Sequence, residues 1–99
     1  HFISAPIHPQ AGSRVFVNAA GLSQHSQIAV ELLDERFRPL PGYSGDDCLP
    51  VHESGLRQPV WWRNRDRLDS FDRPVRVQVT YGGLRIEDAK VYALYVSRE

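Results

Sequence analysis

Ile28-Ala-Val-Glu-Leu-Leu-Asp-Glu-Arg-Phe-Arg-Pro-Leu-Pro-Gly-Tyr-Ser-Gly-Asp-Asp-Cys48 decides the fold. In its first part Ile28, Val30 and Leu32 alternate with Ala29, Glu31 and Leu33. A period of two sends successive side chains to opposite faces, the pattern of a strand with one buried face. In its second part Pro39, Pro41, Gly42 and Gly45 fall within seven residues, followed by Asp46 and Asp47. Proline fixes φ and lacks the N–H that a ladder needs, and glycine opens positive φ, so the chain must leave the sheet here.

The same reading extends outward. Phe2-Ile3-Ser4-Ala5 is a first strand, ending near Pro6 and Pro9, and Gln10-Ala11-Gly12-Ser13 is a turn. Arg14 to Ala20 is a second strand, with Val15 and Val17 facing one way and Phe16 and Asn18 the other. The third runs from Gln27 to Asp34, and the polar turn after it offers Phe37 as the large apolar side chain to close over the core. Downstream, Leu56 to Arg63 reads as a strand, and Asn64 to Phe71 as a turn or one short helical turn. Pro74 to Tyr81 is the clearest strand, with Val75, Val77, Val79 and Tyr81 inward. Gly82-Gly83 interrupts it, and Leu84-Arg85-Ile86 either continues it or opens a hairpin. Ala89 to Ser97 is apolar on both faces, which predicts a central place in a sheet. No stretch carries a helical stripe. Leu22 to Leu33 comes nearest, and its β-branched residues and clean alternation favour a strand. Six to eight short strands at about ten-residue spacing predict an all-β, antiparallel two-sheet β-sandwich of jelly-roll type, with an open barrel as the alternative.

Residues 1–99 suffice for one such module. Twelve basic side chains balance twelve acidic ones, which argues against a nucleic-acid binder held by net charge. The apolar runs fall far short of the ~20 residues that span a bilayer, so neither nucleic acid nor membrane is an expected partner. A single cysteine, Cys48, excludes an internal disulfide. The chain contains no methionine, so the expectation is a piece processed or excised from a longer protein.

Chemistry-bearing residues are few. Trp61 and Trp62 are adjacent, so in a strand they cannot share a face: Trp62 follows Val60 inward and Trp61 points out. Trp61 is then either half-covered by a loop or neighbouring domain, or a platform for a sugar ring, with Tyr43 as a second candidate stacker. Arg63, Arg65 and Arg67, if extended, line one face and could grip an acidic or sulfated glycan. In a turn they would instead pair with Asp66, Asp69 and Asp72. Asp46 and Asp47, with Glu53 nearby, are weak candidates for a structural calcium, though the spacing matches no calcium loop. Cys48 reads as a small buried side chain; His52 lies close in sequence, but no third residue orients a nucleophile. His1, His8, His25 and His52 lack metal-ligand spacing, and neither Glu31 with Asp34 nor Asp46 with Asp47 makes a glycosidase pair. The chain is expected not to be an enzyme and to carry no cofactor.

Several pieces together carry a resemblance. Val17-Asn18-Ala19, Val30-Glu31-Leu32-Leu33-Asp34, Leu40-Pro41-Gly42-Tyr43-Ser44 with Asp47-Cys48, Val60-Trp61-Trp62, Leu68 to Phe71, Pro74-Val75-Arg76-Val77 and Ala93-Leu94-Tyr95 occur in that order. From about Phe2 onward the chain resembles a C-terminal β-sandwich accessory module of bacterial secreted carbohydrate-active proteins, often found beside a glycoside hydrolase family 32-type propeller. It departs from that pattern at Trp61, where a smaller polar residue is expected, and at Gly82 to Ile86, which lengthens the last hairpin. The resemblance implies a secreted, periplasmic or extracellular location and a non-catalytic carbohydrate-binding role. The expected partner is a polysaccharide, bound through Trp61, Tyr43, Arg63 and Arg65, or the parent catalytic domain. The alternative is a structural domain that packs on its catalytic neighbour and has no ligand of its own.

Overall fold

The computed structural model describes residues 2–83 and 90–97. Six strands carry the fold: β1 (Phe2–Ile3), β2 (Arg14–Ala20), β3 (Gln27–Asp34), β4 (Gly55–Pro59), β5 (Val75–Gly82) and β6 (Lys90–Ser97). They form two antiparallel three-stranded sheets, ordered β1-β5-β3 and β4-β2-β6, packed as a sandwich. Consecutive strands always lie in opposite sheets, so no named hydrogen-bonded pair is a hairpin. Every pairing therefore waits on a loop that crosses between the sheets, which favours slow folding.

The inner faces are those the alternation assigns. Val15, Val17 and Ala19 of β2 meet Ile28, Val30 and Leu32 of β3 and Val77 and Val79 of β5 in one core, each at most 3% exposed. Val30 lies opposite Val79 and Leu32 opposite Val77. Burying each such side chain contributes about 1.5–3 kcal/mol, and a one-residue slip would turn the whole set outward.

The irregular half of the opening stretch seals the free edge of β3. Ile28 exchanges two backbone hydrogen bonds with Val51, at 3.0 and 2.8 Å. The Leu32 N–H donates to the Tyr43 carbonyl at 3.1 Å, and the Leu32 carbonyl accepts the Leu40 N–H at 3.0 Å. Between them the Val30 carbonyl accepts the Trp62 indole N–H at 3.0 Å and the Cys48 thiol at 3.3 Å. An exposed row of strand donors and acceptors is thereby satisfied within the chain. Gly42 makes the necessary reversal with φ +86, and a β-carbon there would lie 3.1 Å from the Arg65 guanidinium.

Three expectations need correction. The β6 strand is an edge, not a centre: among the described residues it pairs only with β2, and Tyr92, Tyr95 and Val96 are exposed. Its two apolar faces arise because the register shift at Asn18/Ala19 passes over Tyr92, while Tyr95 stands opposite Phe16 on the sandwich's outer side. The strand expected over Leu56 to Arg63 stops at Pro59; Val60 still donates its N–H to the Val15 carbonyl of β2 at 2.9 Å, and beyond it the chain reaches toward β3. Phe37 does not close the core; it is 54% exposed at φ +67, with the Arg76 guanidinium 4.2 Å from its ring centre. The Asp34 carboxylate ties this turn by accepting the Arg36 and Arg38 N–H groups at 2.8 and 2.9 Å, which throws Phe37 outward. For Asn64 to Phe71 the turn forms rather than the helical one, since Asn64 adopts φ +69. Leu84-Arg85-Ile86 lies outside the described residues.

A groove beside Trp61 as the candidate functional site

The two indoles diverge as the alternation requires. Trp62 is 1% exposed and meets the Tyr43 ring edge-on, with centroids 5.1 Å apart, whereas Trp61 is 47% exposed. One side of Trp61 is occupied: the Arg14 guanidinium carbon lies 4.9 Å from the indole centre and 5.5 Å from that of Phe16. The Asp66 carboxylate stands 3.8 Å from Arg14 Nε. Arg14 Nε and Nη2 are buried and make no hydrogen bond in this arrangement. Arg14 is therefore held by ring faces and a distant carboxylate, and it fixes the back of the indole.

The rest of Trp61 lines an open groove of about 340 Å³. Leu49, Pro50, Val51 and Pro59 supply its other apolar walls, and His52, Glu53 and Gln58 its polar groups. Backbone bonds hold the two walls together: the Leu49 N–H donates to the Trp61 carbonyl at 3.2 Å, and Val51 is anchored on Ile28. The volume is at the small end for ligand clefts, and the combination of apolar walls with a few polar tips is what such clefts share.

Of the residues named from sequence as sugar contacts, only Trp61 lines this groove. Tyr43 is removed from the candidate stackers: it is 2% exposed, lies edge-on to Trp62 and Phe71, and its hydroxyl accepts the Asp69 N–H at 2.9 Å. Arg63, Arg65 and Arg67 do not form an extended basic face. Trp62 and Arg65 close a tight turn through N–H to carbonyl bonds of 2.9 and 3.1 Å. Arg65 lies over the Tyr43 ring at 4.7 Å and pairs with Asp69 at 2.8 Å, while Arg67 donates to the Gly12 carbonyl at 2.9 Å. Arg63 is exposed and is not among the residues that line the groove. The turn reading holds for Arg65, and Asp66 faces Arg14 instead.

Asp46 and Asp47 sit in a short 3₁₀ turn, Gly45–Asp47. Among the described residues no three His, Cys, Asp or Glu side chains converge as a metal site, so the two aspartates gain no ligand set. The Cys48 thiol is half-buried, and its pKa is raised to about 11 by burial first and then by Glu31 and Asp47. It stays protonated at neutral pH and donates to the Val30 carbonyl, which is a structural role.

Sequence reasoning missed the groove because its walls come from segments 49–53 and 58–61, joined by the edge-sealing contacts of β3. Pro50 and Pro59, each beside an apolar residue, mark the walls in the sequence, but nothing local brings them together. Compared with protein-family models, curated proteins and solved structures, the chain matches none.

Proposed function

We propose that this chain is a non-catalytic carbohydrate-binding module of an exported carbohydrate-active protein, and that the Trp61 groove holds the glycan. The observation that carries the reading is the half-exposed indole with its back fixed by Arg14, set in a groove whose tips are Glu53, His52 and Gln58. An indole positioned in advance offers its open surface to the C–H face of a pyranose. Such aromatic contact adds about 1 kcal/mol beyond area burial. With one platform and a few solvent-exposed polar contacts, Kd is expected near the millimolar range, equivalent to about 4–5 kcal/mol. That suffices for a module that keeps an attached enzyme near its polymer, where linkage supplies the effective concentration. The export of the parent protein and its carbohydrate activity rest on the resemblance of the sequence to secreted accessory modules.

Titrating neutral polysaccharides against the chain and its Trp61→Ala variant tests the reading. Loss of most of the affinity in the variant is expected. Unchanged affinity rejects it.

A second reading has its own support. Tyr92 and Tyr95 are exposed along β6, apolar surface that suits packing against a neighbouring catalytic domain. If packing is the role, these tyrosines are protected from chemical modification in the longer protein and open in the isolated chain.

A further inference from the structure

We infer that the Trp61 groove prefers glycans bearing a free amine over acidic ones, with the amine directed at Glu53 while a C–H face of the sugar lies on the indole. The inference rests on the carbohydrate reading above and names the ligand class for that same groove.

Charge decides it. Glu53 is the one Asp, Glu, Lys or Arg side chain that lines the groove. It is exposed and has no ion-pair partner among the described residues. Of the arginines that would serve an acidic or sulfated glycan, Arg65 is committed to Asp69 and the Tyr43 ring and Arg67 to the Gly12 carbonyl, and Arg63 is not among the residues that line the groove. Arg14 stands behind Trp61 with Nε and Nη2 buried, so it presents neither nitrogen to a ligand at the front. A uronate or sulfate in the groove would meet this carboxylate with no lining Lys or Arg to offset it, His52 being the one lining side chain that can take up a proton to become a cation.

The placement of the amine follows from the same geometry. Arg14 already draws on the electron-rich indole, and a second cation over the open surface of the ring would feel that positive charge through it. The apolar sugar face therefore takes the ring, and the ammonium turns to the Glu53 wall. Solvent-exposed ion pairs of this kind change affinity by roughly two- to fivefold.

The experiment is calorimetric titration of four oligosaccharides of equal length: a glucosamine oligomer, its N-acetylated counterpart, a cello-oligosaccharide and an oligouronate. They are titrated into the chain, Glu53→Gln and Trp61→Ala, in buffer acidic enough to protonate the sugar amine, each in a His52→Gln background as well, so that Glu53 is read without the neighbouring imidazole. Expected is the order glucosamine oligomer, then the two neutral oligomers, then the uronate. Glu53→Gln should erase the preference for the amine, so that the glucosamine oligomer and the cello-oligosaccharide bind alike, and Trp61→Ala should weaken all binding. Glu53 is exposed, so the substitution leaves the fold intact, and circular dichroism checks this. A uronate that binds as well as the amine, or a preference that survives Glu53→Gln, overturns the inference while the glycan reading stands on Trp61. Absence of binding by all four oligomers overturns both.

Discussion

Replacing each of the two neighbouring tryptophans by alanine separates their roles quantitatively. Trp62 is 1% exposed, packs edge-on against Tyr43, and caps the Val30 carbonyl through its indole N–H. Truncating a buried aromatic of this size costs about 3–5 kcal/mol. Against a total of about 5–10 kcal/mol for a domain this small, Trp62→Ala leaves a barely folded chain. At about 4–8 °C per kcal/mol, the Tm falls by at least about 12 °C. Trp61 is half-exposed, so Trp61→Ala loses about half of a buried aromatic's transfer term and the Arg14 contact, about 1–2 kcal/mol together. Urea unfolding followed by far-UV circular dichroism measures both, with the m-value expected to stay constant. Trp62→Phe keeps an aromatic ring and loses the hydrogen bond and some volume, about 1–3 kcal/mol, and provides a variant that folds if the alanine does not. A double-mutant cycle of Trp61→Ala with Arg14→Ala should show coupling of about 0.5–1 kcal/mol. Equal destabilisation by the two alanine substitutions would refute the divergence of the indoles on which the groove depends.

Other expectations follow from single contacts. Ser26 is fully buried with a hydroxyl that finds no partner, so Ser26→Ala should be neutral or raise stability by up to about 1 kcal/mol in the same urea assay. Gly83→Ala should cost clearly more than Gly12→Ala. Both have positive φ, but a β-carbon on Gly83 would lie 2.6 Å from the His25 carbonyl oxygen, while none is crowded at Gly12. The Cys48 pKa is raised from 9.0 to about 11, so the folded state holds its proton where the unfolded state has lost it. That contribution is complete below the unfolded value and disappears as the pH climbs toward the folded one, so alkaline destabilisation should be shallower in Cys48→Ala. Asp34 shows the opposite sign: its pKa is lowered, first by the Arg38 backbone N–H, against an opposing effect of desolvation. Its stabilisation is present above the ordinary carboxylate range and fades as pH falls through the lowered value, so Asp34→Asn should match the parent in strong acid and trail it at neutral pH.

How much was legible in the sequence differs from element to element. The spans of β2 and β3 and the core positions of β2, β3 and β5 follow from alternation alone, because side-chain direction in an extended chain is a local property. The contrary directions of Trp61 and Trp62 follow for the same reason, even though β4 ends before either of them. Tyr43 could not be placed this way. It lies in the proline- and glycine-rich segment, where no period governs direction, and its burial comes from Trp62, Phe71 and Arg65, all of them distant in sequence. Arg65 likewise depends on a turn that Asn64 closes at positive φ, a conformation that composition does not announce.

The sequence by itself pointed to an all-β antiparallel fold, the faces that β2, β3 and β5 bury, and which indole is outward. Only the tertiary structure decided that β6 is an edge, that segment 39–51 seals β3, and that segments 49–53 and 58–61 enclose a groove against Trp61. The physical reason is that periodicity fixes direction about the strand axis, whereas neighbours are chosen by which distant segment can satisfy the remaining backbone groups.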